Sequence, residues 1–327
     1  MGLSSIYNRI ALISPYCEIA LRHLYWKNVK WLGKFNPNKP TKPSAPGETK
    51  HVDFEKVIDW LKAKGVGEGS LLIVHSSYGG LECTGLSPDE IIDRLLELVG
   101  KTGTLCMPVI RSFKEEKKAH KEGTSLDNVV IKYNVMKTMV SSGILPYTLM
   151  HRDGAVVSHF PYNPLCAIGP LAKPMMEHNL DGDCPSPHGP NSSWKFCYDH
   201  NALVCSIGTD IEHHNTISHI AEEAFGNWRW SDEEWFDIRT FEIIDENKNS
   251  RIVKVKNRKG GWGTLHLAEI YSCRNSLQNG FMQSDLIDGK VRVGFVYPDR
   301  FIEYKLGKAS SGYPYYLFPW QKPNKVK

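Results

Sequence analysis

Between residues 70 and 109 the chain runs through an apolar strand, an amphipathic helix and a second apolar strand, an order that few arrangements other than a βαβ unit accommodate. Residues 70–77 (SLLIVHSS) form a short apolar run suited to a strand buried on both faces. Residues 87–100 (SPDEIIDRLLELVG) carry helical periodicity, with Ser87 as N-cap, Pro88 in the first turn and Gly100 at the C-terminal end. Residues 103–109 (GTLCMPV) supply the second strand. A helix precedes the unit at 52–66, where Val52, Val57, Ile58 and Leu61 fall on one face, and a third buried strand follows at 201–208. Residues 111–130 are polar and read as an excursion from this core. The C-terminal hundred residues alternate strand-like runs (RIVKVK, VRVGFVY, FIEYKL) with turns such as KGGWG. The expected fold is α/β: a central, mostly parallel sheet flanked by helices, with an antiparallel C-terminal extension and a helical N-terminal arm.

Charge separates the arm from the body. Residues 1–50 hold eight Lys and Arg against Glu18 and Glu48, a net +6, whereas the remainder, with 32 basic and 34 acidic residues, is −2. The body therefore offers no basic field for nucleic acid. Prolines at 37, 40, 43 and 46 make the end of the first segment an extended linker, so 1–50 reads as arm and linker and 51–327 as one domain. Within 1–35, Trp26, Trp31 and Phe35 alternate with Lys27, Lys30 and Lys34. A helix packed on the body or on a second subunit explains this pattern; peripheral contact with an anionic membrane is the other explanation. No apolar run approaches a membrane span and no secretory signal opens the chain, so a cytoplasmic protein is expected, with the inner membrane face as an alternative station. Eight scattered cysteines without a C-x-x-C pair read as reduced core cysteines.

Two groups could carry chemistry. His75, Ser76 and Ser77 end the first strand, where open α/β sheets bind ligands. Together with residues 101–104 entering the next strand they read as a cradle for a diphosphate. The second group is histidine-rich: His159, His178, His188, His200, His213, His214 and His219. No H-E-x-x-H motif supports a metal centre. His188 stands apart because its surroundings, DGDCPSPHGPNSSW, form neither helix nor strand, and rigid irregular loops often hold catalytic groups. Such a base needs a partner that fixes its tautomer. Glu222, early on the helix that starts near Asn215, is a candidate that spacing alone does not connect to it.

The body resembles the aminoglycoside 3-N-acetyltransferase family. The resemblance rests on IVHSSYGGL (73–81), GTLCMP (103–108), GAVVSHFPYNPLCAIGP (154–170), SPHGPNSSWKFCYDHNALVCSIG (186–208) and HNTISHIAEE (214–223), in that order. It implies acetyl-CoA as co-substrate and no metal. It places the catalytic base on His188 and its carboxylate partner on Glu222. It also implies CoA contacts from His75, Ser76 and Ser77 and from Gly103 and Thr104, with Asn215 and His219 toward the acceptor. Val157 stands where the family commonly has Arg, and its acidic stretch is replaced at Tyr133, Asn134 and Val135, which puts the acceptor in doubt. The expected reaction is direct transfer to an amine in a ternary complex; an acyl carrier at Cys184 or Cys83 is the covalent alternative. The weakly charged body and basic arm favour a nucleotide-linked amino sugar for surface-glycan synthesis. An aminoglycoside is the alternative acceptor, and a metal-dependent hydrolase using His159, His178, His213 and His214 is the second alternative.

Overall fold

In this computed structural model, which describes residues 3–32, 51–212 and 214–321, the apolar runs become a seven-stranded sheet. The strands are β1 (Leu71–Ser76), β2 (Thr104–Pro108), β3 (Val130–Asn134), β4 (Val156–Val157), β5 (Leu165–Ile168), β6 (Leu203–Ile207), β7 (Phe236–Ile244), β8 (Ser250–Arg258), β9 (Met282–Ile287) and β10 (Val291–Val296). The large sheet has the order β4-β5-β2-β1-β6-β10-β9. The three strands expected from the sequence form its parallel centre, β1 pairing with β2 and with β6. Antiparallel strands extend it on both sides. A smaller sheet joins β3 to the β7–β8 hairpin.

Local chemistry sets the crossover between β1 and β2. Ser87 and Glu90 form a capping box, with Ser87 N–H donating to Glu90 Oε2 at 2.7 Å and Glu90 N–H donating to Ser87 Oγ at 3.3 Å. The helix Pro88–Val99 then buries Ile91, Ile92, Leu95, Leu98 and Val99 against the sheet. Gly103 enters β2 where a Cβ would meet the Val99 carbonyl oxygen at 2.2 Å, so close helix–strand packing requires glycine there.

The C-terminal region differs from expectation in two ways. It is divided between the sheets, with β9 and β10 completing the large one beside β6. The run FIEYKL is helical, within Pro298–Gly307. Pro298 at the first helical position and the buried spacing of Phe301, Ile302 and Lys305 outweigh its strand-like composition. Within the polar excursion, Lys114–Glu122 is also helical.

The N-terminal arm comprises Leu3–Ala11, Pro15–Lys27 and Val29–Leu32; the proline-rich linker lies outside the described residues. Ser14 caps the second helix by accepting Cys17 N–H at 3.2 Å. A buried carboxylate fastens this helix to the body. Glu18 accepts the backbone N–H groups of Ile270 (3.0 Å) and Tyr271 (2.9 Å), in the first turn of the helix Glu269–Gln278. Arg22 bridges Glu18 (3.0 Å) and Glu269 (2.9 Å), and Ile19 packs with Ala268, Tyr313 and Tyr316. A carboxylate at a helix N-terminus satisfies orphan donors and meets the positive end of the dipole. Glu18→Ala should cost about 2–4 kcal/mol, because two partly buried N–H groups lose their acceptor and Arg22 loses one of its two carboxylate partners. Urea unfolding and limited proteolysis within 3–32 check this; unchanged stability and unchanged cleavage would contradict it.

Candidate active site

His188 is held by its loop before any partner is considered. Gly189 N–H donates to Ser186 O at 3.3 Å, and Ser192 returns both N–H and Oγ–H to Gly189 O at 3.0 and 2.7 Å. Ser192 also caps the helix Ser193–Asp199, which buries Trp194 completely. The Trp194 indole N–H donates to Asn163 O at 2.8 Å. That bond fixes Asn163, whose φ of 48° is left-handed, with its amide nitrogen 3.4 Å from His188 Nε2.

The residue meeting the other side of His188 is Glu223, not the expected Glu222. Glu223 Oε1 lies 3.4 Å from His188 Nδ1, and its Oε2 accepts the His188 backbone N–H at 3.1 Å. Both side chains are buried, and burial would raise the Glu223 pKa, but the neighbouring His188 outweighs it and holds the carboxyl below its ordinary range. A His188 Nε2 that accepts from the Asn163 amide leaves the ring proton on Nδ1, which faces the Glu223 carboxylate at 3.4 Å without making a hydrogen bond among the described residues.

Geometry explains the exchange. Successive residues on a helix point about 100° apart, so the adjacent glutamates of Ile220–Glu223 cannot face the same group. Glu222 turns instead to His219, whose Nδ1–H donates to Oε2 at 2.8 Å, and to the buried ammonium of Lys305. Lys305 also donates to Ser218 O at 2.8 Å. Against the pull of burial, Lys305 and His219 hold Glu222 well below the usual carboxylate range. Arg258 Nη1 lies 2.9 and 3.3 Å from the two His219 ring nitrogens, a position not along either lone pair, and donates to the Tyr315 hydroxyl.

Two cavities flank this cluster. One, of about 260 Å³, includes Glu212, Asn215, His219, Arg258 and Tyr315 in its walls. The side-chain amide of Asn215, a residue 9% exposed, and Glu212 Oε2 have no hydrogen-bond partner there among the described residues. The other, of about 590 Å³, opens at the carboxyl end of β1 and includes His75, Ser76, Ser77, Ser141 and Ser142. His75 Nε2 and Ser76 Oγ are buried without partners among the described residues, whereas the Ser77 N–H is occupied by Ile207 O at 3.1 Å. Thr216 lines both cavities. His188, only 2% exposed, stands behind their walls: its ring centroid is 5.1 Å from that of His219 and 6.0 Å from that of Trp194, which stacks on His75 at 6.3 Å.

Gly103 and Thr104 do not join His75, Ser76 and Ser77. Leu71 pairs with Thr104 in parallel register, so these residues start their strand at the opposite end from Ser76, about 16 Å away along the strand direction. Thr104 Oγ1 is used within the fold, accepting Leu171 N–H at 3.1 Å. The histidines of the hydrolase alternative are dispersed: His159 contacts Glu246, His178 contacts Asp181, and His214 lies against Asp210; His213 is outside the described residues.

A family model described as aminoglycoside 3-N-acetyltransferase matches residues 73–289, from β1 through β9. The chain belongs to this family. Aminoglycoside N(3)-acetyltransferase VIII of Streptomyces fradiae is 26% identical over 175 residues, covering 52% of this chain and 60% of that protein. Aminoglycoside N(3)-acetyltransferase IX of Micromonospora chalcea is 24% identical over 162 residues, 47% of this chain and 56% of that protein. The chain thus spans less than two thirds of the length of these curated relatives. The crystal structure of aminoglycoside acetyltransferase AAC(3)-Xa superposes with a TM-score of 0.62 at 20% identity, covering 80% of this chain and 93% of that one. A binary complex of AAC-IIIb with CoASH gives 0.61 at 18% identity, covering 82% and 100%. These likenesses establish the shared α/β fold.

Within the family fold, sequence reasoning missed Glu223, Asn163, Lys305, Arg258 and Tyr315. The doubled glutamate of HIAEE was the one visible signal, since one helix must aim its two carboxylates at different groups.

The site's histidines set an acid limit on stability. Burial, with His214 nearby, lowers His75 to about 3, and burial, with Arg258 nearby, lowers His219 to about 3. The unfolded chain takes up these protons near pH ~6.5, so between that value and about 3 it binds more protons than the folded one. Stability should therefore fall as pH drops below about 6.5, by at most about 1.4 kcal/mol per unit for each histidine. The depressed Glu222 and Glu223 add to the loss only below the ordinary carboxylate range. Urea midpoints at about pH 7 and pH 5 measure the slope, and His75→Gln should reduce it; a flat profile in the parent chain would contradict the assignment.

Proposed function

We propose that this chain transfers the acetyl group of acetyl-CoA to a primary amine of an aminoglycoside-type amino sugar, with His188 as general base and Glu223 as its orienting partner. The observation that carries this is the buried His188–Glu223 pair, which stands behind His219 of one cavity wall and, through Trp194, behind His75 of the other, in a chain of the aminoglycoside acetyltransferase family.

A sugar amine is largely protonated near neutrality and must lose a proton before it attacks. Nε2 of His188 carries the available lone pair, and Glu223 stabilises the imidazolium formed when that lone pair takes the proton. The Asn163 amide meets Nε2 at 3.4 Å, which marks the lone pair that the proton of the acceptor ammonium must reach. Acetyl-CoA supplies the thioester carbon; a C–N bond forms as the C–S bond breaks and the thiol leaves. The 590 Å³ cavity suits this co-substrate, because Ser76 Oγ and His75 Nε2 await polar partners there. The smaller cavity suits the acceptor: Glu212 Oε2 and Asn215 offer unspent acceptors to ammonium and hydroxyl groups.

Direct transfer is favoured over an acyl-cysteine, since burial pushes the Cys184 thiol above its ordinary value and depletes thiolate. The relatives favour an aminoglycoside acceptor over a nucleotide-linked sugar: solved neighbours hold sisomicin, apramycin and a gentamicin. Glycan synthesis has no such support and is not retained.

Thiol release from acetyl-CoA with sisomicin, gentamicin or apramycin tests the proposal. Turnover is expected, with His188→Gln reducing it by about 10²–10⁴-fold and Cys184→Ala leaving it largely intact. Loss as deep with Cys184→Ala as with His188→Gln would overturn direct transfer, and no release with any amine would overturn the function.

A further inference from the structure

The N-terminal arm shows an exposed face that the acyl-transfer reading does not use. Glu18, Ile19 and Arg22 turn one side of Pro15–Lys27 into the body. The opposite side carries Ala20 and Leu24, both exposed, with the exposed Tyr16 at its flank, edge-on to Tyr316 of the body at 5.8 Å. In the first helix and the turn after it, Ile6, Ile10 and Ile13 repeat the pattern, Ile13 at 72% exposure. Trp26 and Trp31 follow, Trp31 at 70%. Eight of the eighteen large apolar side chains exposed among the described residues belong to this arm, a density far above the scatter on an ordinary surface. Trp320 enlarges the patch: it stacks on Phe318 at 4.7 Å, which packs 5.5 Å from His23 of the arm.

Charge identifies what covers this face. Within residues 3–32 the exposed charges are Arg9, Lys27 and Lys30, all cationic, while the one acid, Glu18, is buried. Apolar and tryptophan side chains beside cations, with no outward carboxylate, match the boundary of an anionic lipid layer. A second copy of the chain would instead bring like charges together across the face. We propose that residues 3–32 form an interfacial arm that lays the protein on an anionic bilayer surface, with the Glu18–Arg22–Glu269 clasp holding the face outward.

The test is cosedimentation of the full chain with vesicles of phosphatidylglycerol in phosphatidylcholine, beside vesicles of phosphatidylcholine alone, at low and high salt. Salt-sensitive binding to the anionic vesicles is expected. The Lys27→Glu, Lys30→Glu double variant should weaken it by at least about tenfold, and so should Ile13→Ser with Leu24→Ser. All four positions are exposed, so the variants should retain the parent's thermal unfolding midpoint. Absence of binding to anionic vesicles would overturn the proposal, as would binding indifferent to lipid charge and to the lysine variants. A lipid-independent dimer lost on Leu24→Ser, without vesicle binding, would assign the face to a second copy and also overturn it.

Discussion

Two adjacent carboxylates buried on a helix of four residues, Glu222 and Glu223, constrain everything around them. A buried carboxylate without a partner costs several kcal/mol, and two on successive positions need partners from different directions. One is the His188 loop. The other is Lys305, carried on the helix Pro298–Gly307 from the far end of the chain. Arg258, at the end of β8, closes the arrangement over His219. The C-terminal region is thus a structural requirement of the site: its lysine neutralises the buried Glu222 carboxylate beside His219.

The same economy links the two cavities. Trp194 lies against both His188 and His75, and its indole N–H positions Asn163 beside His188 Nε2. A single buried aromatic therefore connects the loop, the left-handed turn at Asn163 and the carboxyl end of β1. Because protein interiors are close-packed, a shift of that ring would be felt at all three.

Much of this was legible in the sequence. The apolar runs at 70–77, 103–109 and 201–208 read as buried strands and contain the three strands of the parallel centre, because strands buried on both faces leave a continuous signal. The placement of β9 and β10 beside β6 was not legible, since partner choice depends on contacts distant in sequence. FIEYKL misled because its composition suits a strand while its burial follows a helical period anchored by Pro298. At the site, His188 was marked by its rigid loop, but the family pattern drew attention to Glu222, and only the helix geometry shows which glutamate faces which histidine. Gly103 and Thr104 illustrate the converse error: close to the binding strand in sequence register, they lie at its opposite end, where their roles are packing and hydrogen bonding within the fold. The aromatic and basic pattern of the arm was visible, whereas its fastening through Glu18 was not, because the partner N–H groups lie 252 and 253 residues away.

The central claim is that Glu223 orients the base while Glu222 neutralises Lys305. Its most direct test is kcat/KM for Glu223→Gln and Glu222→Gln, each measured with the unfolding free energy of the same preparation and with a Lys305→Met partner for the second. The account predicts that Glu223→Gln lowers kcat/KM by about tenfold or more with a small change in stability. Glu222→Gln should chiefly destabilise the fold, with Lys305→Met restoring part of the loss. The reverse pattern, a stable but inactive Glu222→Gln beside a fully active Glu223→Gln, would contradict it.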